Sequence, residues 1–412
     1  MAGLLKPTLL LLAGGAVAQA LPLLVGPLLT RLYNPVQFGQ YTVFAALAAN
    51  LAVVACGRYE YALPLVQDEA EARDLMALCL RLLGLVALAS VPLAWWLHAN
   101  GKVAAAWWLP LAVASAGAVQ WLTMWATRAS RFGGLASARV VQYGGGAGMQ
   151  ALAGGLQASS RWAAHGLVIG PIVANLATLA CLRRPAPLGG WLGLAQVPRA
   201  ACVMVGRTHR NFPLLNTPHA FLGALQDTLT VVLLTWWIGD AAAGFWGLAL
   251  RYLKAPATLV GSAVSQVLYP QLGKSDMNEA RQAVRQVMWV LGGMALPLVL
   301  LLVIFGPALF AWLFGERWRG AGELARALAP YIGVHFVASP LAVVTLAWNA
   351  QAWALRLALA GQVIFLGSLV LGLAFGGLQG AAWGVSLGMV IYFGWYFWSL
   401  ATWHEVPNAR MA

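Results

Sequence analysis

The chain has 412 residues, 61% of them hydrophobic and only 9% charged. That composition excludes a soluble globular protein and predicts an all-α polytopic membrane protein. The net charge of +13 at pH 7 does not point to nucleic acid, because the basic residues form no soluble domain and much of the excess falls where cytoplasmic loops carry it.

Apolar runs of bilayer length predict about twelve transmembrane helices of about 20 residues each. The first set covers residues 8–29, 40–62, 75–97, 104–126, 136–158 and 162–182. The second covers 214–237, 244–268, 286–312, 326–347, 353–375 and 379–401. At the start, Lys6, an apolar run and Ala18-Gln19-Ala20 imitate a secretory signal peptide with its cleavage site. The run continues to Leu29, too long for a signal h-region, and is read as the first helix.

Arg31 ends that first span, and Arg58 and Glu60 end the second within G-R-Y-E-Y-A-L-P, Gly57 to Pro64. Arg81 lies one to two turns into the third. Arg31, on the outer side, is a weaker candidate; Arg58, Glu60 and Arg81 are expected at similar depths near the cytoplasmic side. Either they snorkel to the interface, as long cationic side chains do, or they belong to a functional cluster. Gln150 and Gln157 share a face of the glycine-rich fifth span, a pattern that marks close helix packing more than a wet cavity. His165 and His335 have no carboxylate spaced near them and are read as helix-contact residues. The four cysteines, Cys56, Cys79, Cys181 and Cys202, show no zinc or redox spacing, so no disulfide and no metal site is read from them.

Lysine and arginine set the orientation. With the N-terminus inside, Arg73, Arg128, Arg131, Arg183, Arg184 and Arg199 are among the many cytoplasmic cations. Few, including Lys102 and Arg161, fall outside. The doublets Trp95-Trp96, Trp107-Trp108 and Trp236-Trp237 then fall at the outer interface, as an aromatic belt does. The longest connection, residues 183–212, is basic and separates two six-helix bundles, residues 1–182 and 213–412. It is either an amphipathic segment on the cytoplasmic leaflet or a solvated linker. The halves repeat weakly: similar-length spans end in a Tyr near Pro64 and Pro270, and each is followed by Glu-Ala-Arg and a span with Pro-Leu. Six spans per half makes the repeat parallel, about an axis along the membrane normal, which is a transporter arrangement.

The stretch from Arg210 to Pro270 carries the sharpest signal. It places Asp227 on one apolar span and Arg251 and Lys254 on the next, joined by a turn at Ile238-Gly239-Asp240. Measured from that turn, Asp227 lies about 15 Å deep and the two cations roughly 10 and 15 Å deep. Arg251 and Lys254 are three apart and share a helix face. Charges at that depth are either a structural ion pair or the wall of a transport cavity. Static buried pairs rarely repay their desolvation, which favours the cavity.

R-L-Y-N-P-V-Q-F-G (Arg31 to Gly39), G-R-Y-E-Y-A-L (Gly57 to Leu63), R-N-F-P-L-L-N-T-P (Arg210 to Pro218), G-F-W-G-L-A-L-R (Gly244 to Arg251) and S-Q-V-L-Y-P (Ser265 to Pro270) occur in this order. With them the chain resembles the oligosaccharide (O-antigen type) flippases of the MOP, multidrug/oligosaccharidyl-lipid/polysaccharide, exporter superfamily. The resemblance runs through the first eight spans. It implies a MATE-like fold of two six-helix bundles and an undecaprenyl-pyrophosphate-linked oligosaccharide cargo, flipped by alternating access without enzymatic chemistry. It also implies residence in the bacterial inner membrane, no bound cofactor, coupling to a proton or sodium gradient, and polysaccharide polymerase and chain-length proteins as partners; the Lys/Arg asymmetry predicts both termini to be cytoplasmic. Arg251 falls where such proteins place a cavity arginine, and Arg58 and Glu60 fall in their second-span motif. Asp227 and Lys254 rest on depth alone. A peptidoglycan-precursor (lipid II) flippase of the same superfamily is the nearest alternative. A membrane glycan polymerase or ligase is a more distant one, since no outer loop is long.

Overall fold

A computed structural model describes residues 2–101, 103, 105–157, 163–272, 276–348 and 350–403, and every regular element among them is helical. In order these are α1 (Ala2–Leu32), α2 (Pro35–Val54), α3 (Glu69–Ala99), α4 (Leu109–Arg128), α5 (Phe132–Gln157), α6 (Ala163–Leu182), α7 (Gly190–Gln196) and α8 (Arg199–Thr208). They continue with α9 (Thr217–Trp237), α10 (Asp240–Leu272), α11 (Met277–Phe314), α12 (Arg319–Ala347) and α13 (Gln351–Ala401). Lys102 and Arg161, which entered the orientation argument, lie outside the described residues, as do the side chains of Lys6 and Gln157.

Nine helices among the described residues are long and apolar enough to cross a membrane. Glycines and polar side chains dilute α5, and Asp240, Arg251 and Lys254 charge α10. The last two expected spans are one element, α13, whose 51 residues amount to ~75 Å of helix against ~30 Å of hydrocarbon. It breaks at Gly376 and Gly377, where φ reaches 57° at Gly377. The two arms pack back to back, so that a Cβ on Gly384 would stand 2.6 Å from the Ser368 carbonyl oxygen.

Helix starts follow the local sequence. Asn34 caps α2 in a reciprocal box with Gln37, with Pro35 in the first turn, where its missing N–H costs nothing. Asp68 caps α3 and Asp276 caps α11 by accepting first-turn N–H groups. The end of α2 departs from expectation. A span to residue 62 is predicted from apolarity, yet the helix stops at Val54. Gly57 and Arg58 take positive φ of 57° and 61°, which no right-handed helix can contain, and a short 3-10 turn, Tyr59–Ala62, follows. Before α9, Pro213 and Pro218 both lack an N–H, and the turn between them widens to a π-turn, Phe212–Asn216.

The chain forms two compact units, Met1–Val231 and Val232–Ala412. In the first, α5 packs against α1 and α6 along its glycines: a Cβ on Gly144 would meet Leu21 at 2.6 Å, and one on Gly154 would meet the Tyr33 ring at 2.8 Å. The Tyr33 hydroxyl donates to the Gln150 carbonyl at 2.8 Å, and the Gln150 amide donates to the Leu167 carbonyl at 2.7 Å. Gln150 is thus a packing residue. His165 likewise ties elements together, its Nδ1 lying 3.2 Å from the Trp108 indole nitrogen. In the second unit α12 is the central helix, with α10, α11 and α13 against it.

Candidate functional site

In the first unit the charges sort into two separate groups. Arg58 sits at its left-handed turn with Nη1 donating to the Tyr61 hydroxyl at 2.8 Å and its guanidinium 4.9 Å from that ring's centre. Glu60, one residue into the 3-10 turn, is 1% exposed. Its Oε1 accepts from the Gln120 amide of α4 at 3.0 Å, and its Oε2 has no hydrogen-bond partner among the described residues. Glu60 lies between the candidate spans Pro35–Val54 and Glu69–Ala99. Burial, opposed by its own backbone, Arg58 and Gln120, pushes its carboxyl up to about 7.

Arg81 does not join that pair. Its Nη2 donates to the Val197 carbonyl and its Nη1 lies 3.2 Å from the Cys202 sulfur, so the guanidinium grips the segment joining the predicted bundles. Other groups near the same end do similar work. The Tyr59 hydroxyl donates to the Gly206 carbonyl at 3.1 Å, and His209 Nε2 meets Glu71 at 2.9 Å. The Trp125 indole donates to the Pro185 carbonyl at 2.8 Å. Residues 185–209 are thus tied to neighbouring elements by side-chain hydrogen bonds. α8 buries Cys202 and Val205 against α3 while Val203 and Met204 stay exposed.

Arg31 is exposed at the last turn of α1, where a cation complements the helix dipole. Asp227 is exposed on α9, beside the buried Thr228, whose hydroxyl donates to the Ala46 carbonyl of α2 at 3.2 Å. Asp227 belongs to the first unit, and Arg251 and Lys254 belong to the second.

On α10, Trp246, Ala249, Leu253 and Ala257 form the buried stripe, none more than 4% exposed. Gly247, Arg251, Lys254 and Thr258 follow the same 3–4 spacing on a different face and are half-buried or exposed. The expected cationic pair is thus aligned along one face of one helix. Lys254 lies within electrostatic range of His335 on α12. His335 is sandwiched by Tyr331 and Phe393, with ring centres 5.7 and 6.3 Å away. It borders a cavity of about 270 Å³ that Ser339, Thr345, Tyr392 and Tyr396 also line.

Sequence reasoning missed a chain of polar groups inside the first unit. Gln142 of α5 donates to Asn175 of α6 at 3.1 Å, and Asn175 donates to the Ser115 hydroxyl of α4 at 3.4 Å. The available signal was an amide inside an apolar run, the same signal that singled out Gln150. It also missed that Cys56, Glu60 and Cys79 lie together, because their separation in sequence matches no motif.

The fold is one shared with solved flippase and transporter structures. Lipid II flippase MurJ, in an inward closed conformation, superposes with a TM-score of 0.74 at 10% identity, over 95% of this chain and 90% of that one. An inward-facing multidrug resistance MATE family transporter gives 0.63 at 15% identity, over 97% and 96%. A point mutant of the Vibrio cholerae MATE transporter VcmN gives 0.59 at 16%, over 96% and 94%. Among curated proteins none matches the chain. The polysaccharide biosynthesis protein family matches residues 28–323, and the chain belongs to that family.

Proposed function

We propose that the protein flips undecaprenyl-pyrophosphate-linked oligosaccharide from the cytoplasmic to the periplasmic leaflet of the bacterial inner membrane by alternating access. Both termini are then cytoplasmic, and the protein acts as a transporter without enzymatic chemistry. It serves assembly of O-antigen, lipopolysaccharide or exopolysaccharide, with a polymerase and chain-length proteins receiving the cargo. The observation that carries this reading is the Arg251–Lys254 stripe on α10, inside the segment matched to a polysaccharide biosynthesis family.

A pyrophosphate at membrane depth needs cationic partners, and guanidinium holds phosphate oxygens in a bidentate way that ammonium cannot. A cationic drug, by contrast, needs an anionic wall, and the charges within these spans are mostly positive. Lipid II also carries a pyrophosphate, so the likeness to MurJ keeps it as a competing cargo. Asp227 is the group proposed to take up the coupling proton or cation, or to alternate with substrate phosphate as partner to the cations.

Arg251→Ala is expected to cut glycan export at least about tenfold, the equivalent of losing one charge-assisted hydrogen bond, while the protein still reaches the membrane. Arg251→Lys should restore only part of it. Full export by Arg251→Ala at normal expression would remove the pyrophosphate clamp from the account.

A further inference from the structure

Where α2 ends, two thiols and a carboxyl are sealed in one place. Cys56 lies two residues past the end of α2, just before the left-handed Gly57, Cys79 projects from α3, and Glu60 comes from the 3-10 turn between them. They are 3%, 0% and 1% exposed, and their donor atoms all lie within 4.8 Å of one another. The cluster has unspent bonding capacity. Glu60 Oε2 is buried without a hydrogen-bond partner among the described residues, while the Cys56 thiol donates to the Cys79 carbonyl oxygen at 3.7 Å. A buried carboxylate oxygen left in this way is costly and is ordinarily compensated by a donor or a cation.

We infer that Cys56, Glu60 and Cys79 form a binding site for a thiophilic divalent ion of the zinc class, which ties the end of α2 to α3. The donor set selects the metal: two sulfurs and one oxygen suit zinc, whereas magnesium and calcium take oxygen alone. Donors around tetrahedral zinc stand roughly 3.3–3.8 Å apart, so closing from a spread of at most 4.8 Å takes about an ångström of side-chain movement. Charge also balances. Two thiolates and a carboxylate carry three negative charges, which a divalent ion and the neighbouring Arg58 guanidinium neutralise. Binding releases one proton from each thiol to solvent. The fourth corner falls to water or to Gln120, whose amide already holds Glu60 Oε1. The role is structural, because the same turn carries Tyr59, which anchors α8 through Gly206. The inference does not depend on the cargo.

Cobalt(II) makes the test optical. The full chain, purified under reducing conditions without a metal-affinity tag and freed of metal by chelation, is loaded with cobalt chloride and desalted. One cobalt per chain with a thiolate-to-cobalt charge-transfer band is expected, displaced by zinc. Glu60→Gln should weaken retention at least tenfold, and Cys56→Ser with Cys79→Ser should abolish the band. Cys181→Ser should leave it intact. Wild-type protein that holds no stoichiometric cobalt, or holds it without a thiolate band, overturns the site whatever the variants do. So does a denatured, unreduced chain in which only two of the four cysteines react with a thiol reagent, since a disulfide would then occupy the thiols.

Discussion

Arg81 and Asp227 show how much a side chain's partner decides its role. Both are ionisable residues in apolar stretches. The Arg81 guanidinium is spent on the Val197 carbonyl and Cys202, more than a hundred residues along the chain, a partnership no local pattern reveals. Arg81→Ala should therefore cost about 1–3 kcal/mol of stability, lower the melting temperature, and raise protease sensitivity of residues 190–208 without changing cargo affinity. A loss of cargo binding at unchanged stability would contradict that. Asp227 is exposed on its helix, so Asp227→Asn should leave a stable protein that binds cargo and turns over slowly. The double change with Lys254→Gln should not rescue it. If the double variant recovers both stability and transport, the acid and the lysine form a structural ion pair.

Among the elements, helices form at the apolar runs because apolar length is a sequence property. Nine among the described residues are long and apolar enough to cross a membrane where twelve spans were expected, and the caps at Asn34 and Asp68 were not foreseen. The end of α2 was not legible, since the turn there is set by backbone angles at Gly57 and Arg58 and residues 55–63 stay largely apolar. The expected depth of the Arg58–Glu60 pair shifted accordingly, from the foot of a span into a turn beyond it. The docking of the connecting segment was not legible, because α8 turns Cys202 and Val205 toward α3. A single cysteine in place of Arg199 should resist an impermeant reagent applied from outside intact cells; labelling from outside would overturn the topology. Close helix approach gives a further check. Tyr33 is fully buried against Gly154, so Gly154→Ala should destabilise the first unit by about 1–3 kcal/mol through overpacking.

At the scale of the molecule, composition was enough to predict an all-α membrane protein, and five ordered motifs pointed to the superfamily that the fold and family match bear out. The candidate site was legible as a set of charges, and the alignment of Arg251 and Lys254 on one face followed from their spacing. Cargo is another matter, because MurJ and MATE transporters share this chain's fold at 10–16% identity to it. The deciding measurement is transbilayer movement in proteoliposomes holding the purified chain. Undecaprenyl-pyrophosphate-linked oligosaccharide, lipid II and a cationic dye are offered separately, with Arg251→Ala as the matched control. Faster movement of the oligosaccharide lipid than of the other two, lost in Arg251→Ala, is the predicted result. Equal or faster movement of lipid II or of the dye, or oligosaccharide movement indifferent to Arg251, would contradict it.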